Sequence, residues 1–160
     1  MKVYHGSTQP VERPLIAVGR SQLDFGQGFY VTDIREQAEA WARRVQQIRE
    51  KPGIVSVYEF DIDKVRAEFR YLCFERYDND WLQFIISHRM GRAEQQTFDV
   101  VEGGVANDRV IDAVEAYIAN LMTLDAVLHE LSRHQPNNQL CIRNQDVINR
   151  CLTYVESYKI

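Results

Sequence analysis

Short strand-like runs alternate with helix-period stretches along the whole chain, and that interleaving limits the fold more than any other feature. Lys2 to His5 reads as a first strand. Residues 7–19 read as loop, with Pro10 and Pro14 breaking any helix. Phe29-Tyr30-Val31-Thr32 reads as a second strand, preceded by Gly26 and Gly28. From Asp33 onward, Ile34, Ala38, Trp41, Ala42, Val45 and Ile48 recur on one face of a 3.6-period helix. Asp33 and Glu36 have the capping-box spacing, and Pro52-Gly53 ends the run. Ile54 to Ile62 alternates as a strand, and Phe69 to Phe74 is another. Asp78-Asn79-Asp80 is placed to cap a helix carrying Trp81, Phe84, Ile85 and His88. Phe98 to Val101 is a short apolar strand, and 109–133 holds two helices parted near Thr123. Pro136-Asn137-Asn138 reads as a turn, Gln139 to Ile142 as a strand, Asn144 to Cys151 as a short helix and Thr153 to Tyr158 as a last strand. With no repeat and no low-complexity linker, the pattern predicts a single α+β domain over residues 1–160.

A chain of 160 residues with 45% apolar content can bury a sizeable core. No run approaches the ~18 apolar residues of a membrane helix. Met1-Lys2-Val3-Tyr4-His5 lacks the features of a signal peptide, so the expected location is cytoplasmic, with no membrane partner. A net charge of −4, with both signs interspersed, argues against a constitutive nucleic-acid binder and leaves a locally basic cleft open. Cys73, Cys141 and Cys151 are odd in number and form no CxxC, so they read as small buried hydrophobes rather than a disulfide framework. A cysteine–histidine pair assembled by the fold stays open. His129 and His134 are five apart and share no helical face with each other, and no metal is expected. Trp41 and Trp81 read as core.

Two segments near the start carry potential chemistry. In Tyr4-His5-Gly6-Ser7, the absent side chain of Gly6 lets a ligand approach the backbone, and His5 can hydrogen-bond from its ring. The plain alternative is a strand-end histidine before a turn. In Asp24-Phe25-Gly26-Gln27-Gly28-Phe29-Tyr30-Val31-Thr32, the glycines allow a tight entry to the strand and Tyr30 offers a ring face. The alternative there is a glycine-containing hairpin with a core tyrosine. The GxGxxG spacing of the dinucleotide fold is absent.

These two segments, with Asp80-Trp81-Leu82-Gln83-Phe84, residues 99–108 (D-V-V-x-G-x-V-A-N-D) and residues 138–142 (N-Q-x-C-x), span nearly the whole chain. Together they resemble a bacterial family of unknown function placed in the ADP-ribosyltransferase superfamily, in the diphtheria-toxin and poly-ADP-ribose polymerase branch with its His–Tyr–Glu signature. The resemblance implies two small, mostly antiparallel sheets enclosing an NAD cleft, with helices around them. It implies NAD as substrate and mono-ADP-ribosylation of a macromolecular acceptor, protein or nucleic acid. Small stand-alone members look like toxins of toxin–antitoxin pairs, which implies a cognate antitoxin. A non-catalytic NAD or ADP-ribose binding module on the same fold is the alternative, and an interaction protein that has lost the pocket is a third.

Carried onto this chain, the resemblance makes His5, Tyr30 and Gln139 the catalytic trio. His5, Gly6, Ser7, Arg20, Gly28, Tyr30 and Thr32 become the NAD-binding set. His5 would contact the adenosine-side ribose, the Gly6 backbone the carboxamide, and Tyr30 the nicotinamide ring. Gln139 stands where the catalytic glutamate is usual. An amide accepts a hydrogen bond from a ribose hydroxyl but lacks the charge that steadies a cationic transition state. Glu102, Asp99 and Asp108 are the candidate substitutes, with Asp108 as an ordinary helix cap the plainer reading. Arg20 is placed for a pyrophosphate contact or for plain solvation.

Overall fold

The computed structural model describes residues 1–21, 23–92, 98–134 and 137–160. Seven strands and six α-helices follow one another there: β1 (Lys2–Ser7), β2 (Phe29–Val31), α1 (Arg35–Arg49), β3 (Ile54–Phe60), α2 (Ile62–Glu68), β4 (Tyr71–Cys73), α3 (Asn79–Arg89), β5 (Val100–Gly103), α4 (Asp108–Ile118), α5 (Leu124–Leu131), β6 (Gln139–Ile142), α6 (Gln145–Cys151) and β7 (Leu152–Lys159). A short 3-10 turn sits at Ile16–Val18. The α+β class is as expected.

The strands form two sheets. One has the order β1-β3-β7 and is antiparallel throughout. The other has the order β2-β6-β5-β4, antiparallel except for the parallel pair β4–β5. Among the described residues a single bridge joins them. The Tyr4 N–H donates to the Thr32 carbonyl at 2.8 Å, and the Thr32 N–H donates to the Tyr4 carbonyl at 3.0 Å. Phe29, Val31, Leu140 and Ile142 from one sheet and Val3, Tyr58 and Phe60 from the other share one core, closed by α6. The opposite face of the second sheet carries Val101 and Cys141 and lies under Phe25, α3, α4 and α5. Strand alternation puts Tyr30 and Gln139 on that face with Cys141.

Most boundaries follow the local chemistry. Asp78, Thr123 and Asn144 each cap the following helix by accepting a backbone N–H. Trp81 is fully buried at the start of α3, where its indole N–H donates to the Gly104 carbonyl at 3.2 Å.

Several expectations are corrected. Helix α1 is entered through Ile34 with no side-chain cap, so Asp33 and Glu36 do not form a capping box. The Asp33 carboxylate accepts from the Asn138 amide instead. Only Ala38 and Ala42 of the α1 stripe are buried; Trp41 is 53% and Ile48 72% exposed. The helix therefore docks through alanines, which let it lie close on β1. The strand read through Ile62 stops at Phe60, because Asp61 accepts from the Lys64 N–H and opens α2. The strand read over 98–101 is shifted to Val100–Gly103. Asn107, not Asp108, caps α4 by accepting from the Val110 N–H. Asp108 is the first helical residue, and its side chain lies outside the described structure. Pro136 of the expected turn also lies outside the described residues.

Candidate functional site

The bridge between the sheets is one residue pair long, and this fixes the geometry beside it. Tyr4 turns its N–H and carbonyl toward Thr32, away from β3. In a strand, residues two apart point the same way, so the Gly6 peptide groups face that same edge. The ladder to β2 does not continue there. His5 occupies the fork: its Nδ1–H donates to the Tyr30 carbonyl at 2.7 Å, and its ring lies 4.6 Å from that of Phe29. A carbonyl only accepts, so the proton is on Nδ1 and Nε2 is an acceptor. Burial, partly offset by this bond, holds the imidazole below its ordinary pKa and keeps it neutral.

Tyr30 is on the next strand over. Its hydroxyl donates to the Gly26 carbonyl at 2.6 Å and accepts from the Phe25 N–H at 3.1 Å. The phenol thus ties the loop before β2 to the strand. Burial first, then the adjacent Cys141 thiol, push its pKa far up, so it stays neutral. Cys141, directly opposite Tyr30, is likewise pushed up to about 12 by burial and is a thiol, not a nucleophile.

Gln139 opens β6 two residues from Cys141, on the face of Tyr30 and diagonal to it at about 7–8 Å. Its Nε2 donates to Asp24 Oδ2 at 3.4 Å. Asp24 is buried and saturated. Its Oδ1 accepts from Arg89 Nη2 at 2.6 Å and Nε at 2.9 Å, and its Oδ2 also takes the Ala106 N–H at 3.2 Å. The trio is therefore brought onto three neighbouring strands. His5 Nε2 and Gln139 Oε1 have no protein partner and are not sealed from solvent among the described residues.

The NAD-binding set divides. A Cβ on Gly6 would lie 2.3 Å from the Ala38 carbonyl and 2.9 Å from the Ala42 nitrogen, so its missing side chain makes room for α1; only its peptide groups face the fork. A Cβ on Gly28 would meet Cys141 Sγ at 2.4 Å, so this glycine seats the loop on β6. Thr32 Oγ1 accepts from the Ile34 N–H, and Ser7 Oγ donates to the Gln9 carbonyl. Arg20 is exposed and carries no hydrogen bond or ion pair among the described residues.

Of the carboxylates considered as substitutes, Asp99 is spent elsewhere. Burial opposes its charge, but the Arg70 side chain and N–H and the Asn144 amide outweigh burial and hold its pKa below the ordinary value. Glu102 accepts from Asn138 Nδ2 at 2.8 Å and from the Tyr71 hydroxyl. It reaches the residue next to Gln139 rather than Gln139 itself. Cys73 is exposed, against the expectation of burial, while Cys141 and Cys151 are buried.

Sequence reasoning passes over two features. Asp24 stands in the quoted segment without a role, and its partner Arg89 lies 65 residues away. Trp41 reads as core from its period alone. It is 53% exposed, and the Arg44 guanidinium lies over its ring at 5.8 Å. A cavity of ≈ 460 Å³ lies beyond the last turn of α1, lined by Gln46, Gln47, Glu50, Lys51, Pro52, Lys159 and Ile160; none of the trio lines it. Among the described residues no cluster of three His, Cys, Asp or Glu could hold a metal, and no helix is long and apolar enough to cross a membrane.

Residues 1–154 match the family described as "Protein of unknown function (DUF3990)". No curated protein matches the chain.

Proposed function

Starting from the chain's membership of the DUF3990 family, to which it belongs, we propose that it is an NAD-dependent mono-ADP-ribosyltransferase-like protein whose cleft is the fork between β1 and β2. The observation that carries this reading is the isolated bridge Tyr4–Thr32, beside which the His5 imidazole sits between β1 and β2 with its Nδ1–H on the Tyr30 carbonyl.

The donor set suits a nicotinamide nucleotide. The Gly6 N–H and carbonyl complement a carboxamide, which is both donor and acceptor. His5 Nε2 and Gln139 Oε1 are neutral acceptors for ribose hydroxyls. Trp41 supplies an exposed aromatic ring on α1. Tyr30 acts by holding the Phe25–Gly26 loop and His5 in place, since its hydroxyl and carbonyl are both committed. In the reaction, the N-glycosidic bond breaks and nicotinamide leaves with the electron pair. A nucleophile on the acceptor then bonds to the ribose carbon and gives up its proton. Fixed acceptors around the ribose lower that barrier by orientation, and a neutral amide at 139 supplies less charge stabilisation than a carboxylate.

A second reading, a non-catalytic NAD or ADP-ribose binding module, is favoured by that same neutral amide. A toxin role with a cognate antitoxin and a macromolecular acceptor belongs to the first reading. Nicotinamide release from NAD, followed with the wild-type protein and with His5→Ala of verified fold, separates the readings. Release lost in His5→Ala supports the transferase. Binding without release in the presence of cell extract supports the binding module. No binding at millimolar NAD overturns both.

A further inference from the structure

We propose that the acid of this site is Asp24, acting through Gln139 as a positioning residue. Its carboxylate holds the amide nitrogen, so that the amide oxygen is presented to a ribose hydroxyl of the nucleotide. The inference rests on the NAD reading for its ligand, and on the buried contacts alone for the pair.

An amide has a donor end and an acceptor end of nearly equal shape, and only its partners decide which way it turns. Asp24, gripped by Arg89 at 2.6 Å and by the Ala106 N–H, has both oxygens engaged as acceptors. Gln139 must therefore face it with Nε2, and Oε1 points away. Among the described residues that oxygen has no hydrogen-bond partner, and Gln139 is 8% exposed. A buried polar group is normally satisfied; here one end faces a saturated carboxylate and the other takes no partner from the described residues.

The pair also accounts for the residue type at 139. A glutamate there would set a second carboxylate against Asp24 within a buried site. Like charges at that range raise the pKa of one member. The carboxylate sits in the loop before β2 and the amide on β6. Arg89 supplies the countercharge from the end of α3.

The test is a four-protein cycle of wild type, Gln139→Glu, Asp24→Asn and Asp24→Asn/Gln139→Glu, read by urea unfolding between pH 4 and 8 and by calorimetric titration with NAD. A folded-state pKa raised above the ordinary carboxylate value of about 4.3 costs stability as pH rises. Gln139→Glu is therefore expected to match wild type near pH 4 and to fall behind it by pH 8. In the double variant the amide introduced at position 24 can donate to the carboxylate introduced at position 139. That variant is expected to lose the pH dependence and to lose less stability than the two single variants together, since Asp24→Asn alone gives up the ion pair with Arg89. Asp24→Asn is expected to weaken NAD binding about tenfold, the scale of one charge-assisted hydrogen bond. If Gln139→Glu keeps the wild-type midpoint at every pH, or if the losses of the two single variants simply add in the double variant, the pair is not coupled and the proposal fails. If wild type binds NAD and a folded Asp24→Asn binds it equally well, the positioning role fails. If wild type does not bind NAD, the presentation of Oε1 to a nucleotide falls with the transferase reading, while the urea cycle still decides the coupling of Asp24 to Gln139.

Discussion

Gly6→Ala isolates the contact that sets the helix α1 on the edge of the fork. Gly6 is not in the left-handed region, so alanine meets no backbone penalty there. The whole effect is steric. The new Cβ would lie 2.3 Å from the Ala38 carbonyl oxygen and 2.9 Å from the Ala42 nitrogen, against ordinary contacts of 3.4–4 Å. Both obstacles are backbone, so no rotamer change relieves the overlap, and α1 must lift from β1 by about 1 Å. Overpacking of this kind costs roughly 3 kcal/mol, the upper end of the usual range. For a domain of this size each kcal/mol moves Tm by about 2–4 °C, so a drop of about 6–12 °C is expected. Thermal and urea unfolding followed by circular dichroism measure it, and the far-ultraviolet spectrum at low temperature checks that the fold persists. A variant with the wild-type midpoint that has lost NAD binding would make Gly6 a ligand-facing glycine and refute the packing argument.

Three further outcomes follow from the same contacts. Trp81→Ala removes a fully buried indole bonded to Gly104 and is expected to cost about 3–5 kcal/mol in urea unfolding. Trp41→Ala touches an exposed ring, so stability is expected to change by less than about 0.5 kcal/mol while NAD affinity falls in calorimetry. Burial holds both His5 and His88 below the ordinary value of 6.5, so the unfolded chain takes up these protons first. Stability from both is complete above pH 6.5 and declines as pH falls below it, and a urea midpoint that is flat from pH 7 to 5 would contradict this.

The sequence carried the element order well wherever a cap or a period was local. Asp78, Thr123 and Asn144 act within three residues of themselves, and Gln139 to Ile142 forms the strand read for it. Two failures are local, Asp61 opening α2 before the strand reaches Ile62 and Asn107 rather than Asp108 capping α4, and the others are tertiary. Trp41 and Ile48 extend an apolar stripe that α1 does not bury, because β1 offers it only the narrow surface at Gly6. Asp33 has the right spacing for a cap, but Asn138, distant in sequence, takes its carboxylate. The trio His5, Tyr30 and Gln139 was legible as residues, and its closeness comes from β1, β2 and β6 lying side by side. Asp24 was not legible as a partner of Gln139, since 115 residues separate them and no spacing rule links a loop aspartate to a strand glutamine.

Amide hydrogen exchange of the wild-type protein with and without NAD tests the central claim most directly, because it reports where the nucleotide sits. Added NAD is predicted to slow exchange at Gly6 and its neighbours in β1, at the Phe25–Gly26 loop and at the start of β6. Unchanged exchange across these segments, or protection confined to the cavity at the end of α1, would contradict the account.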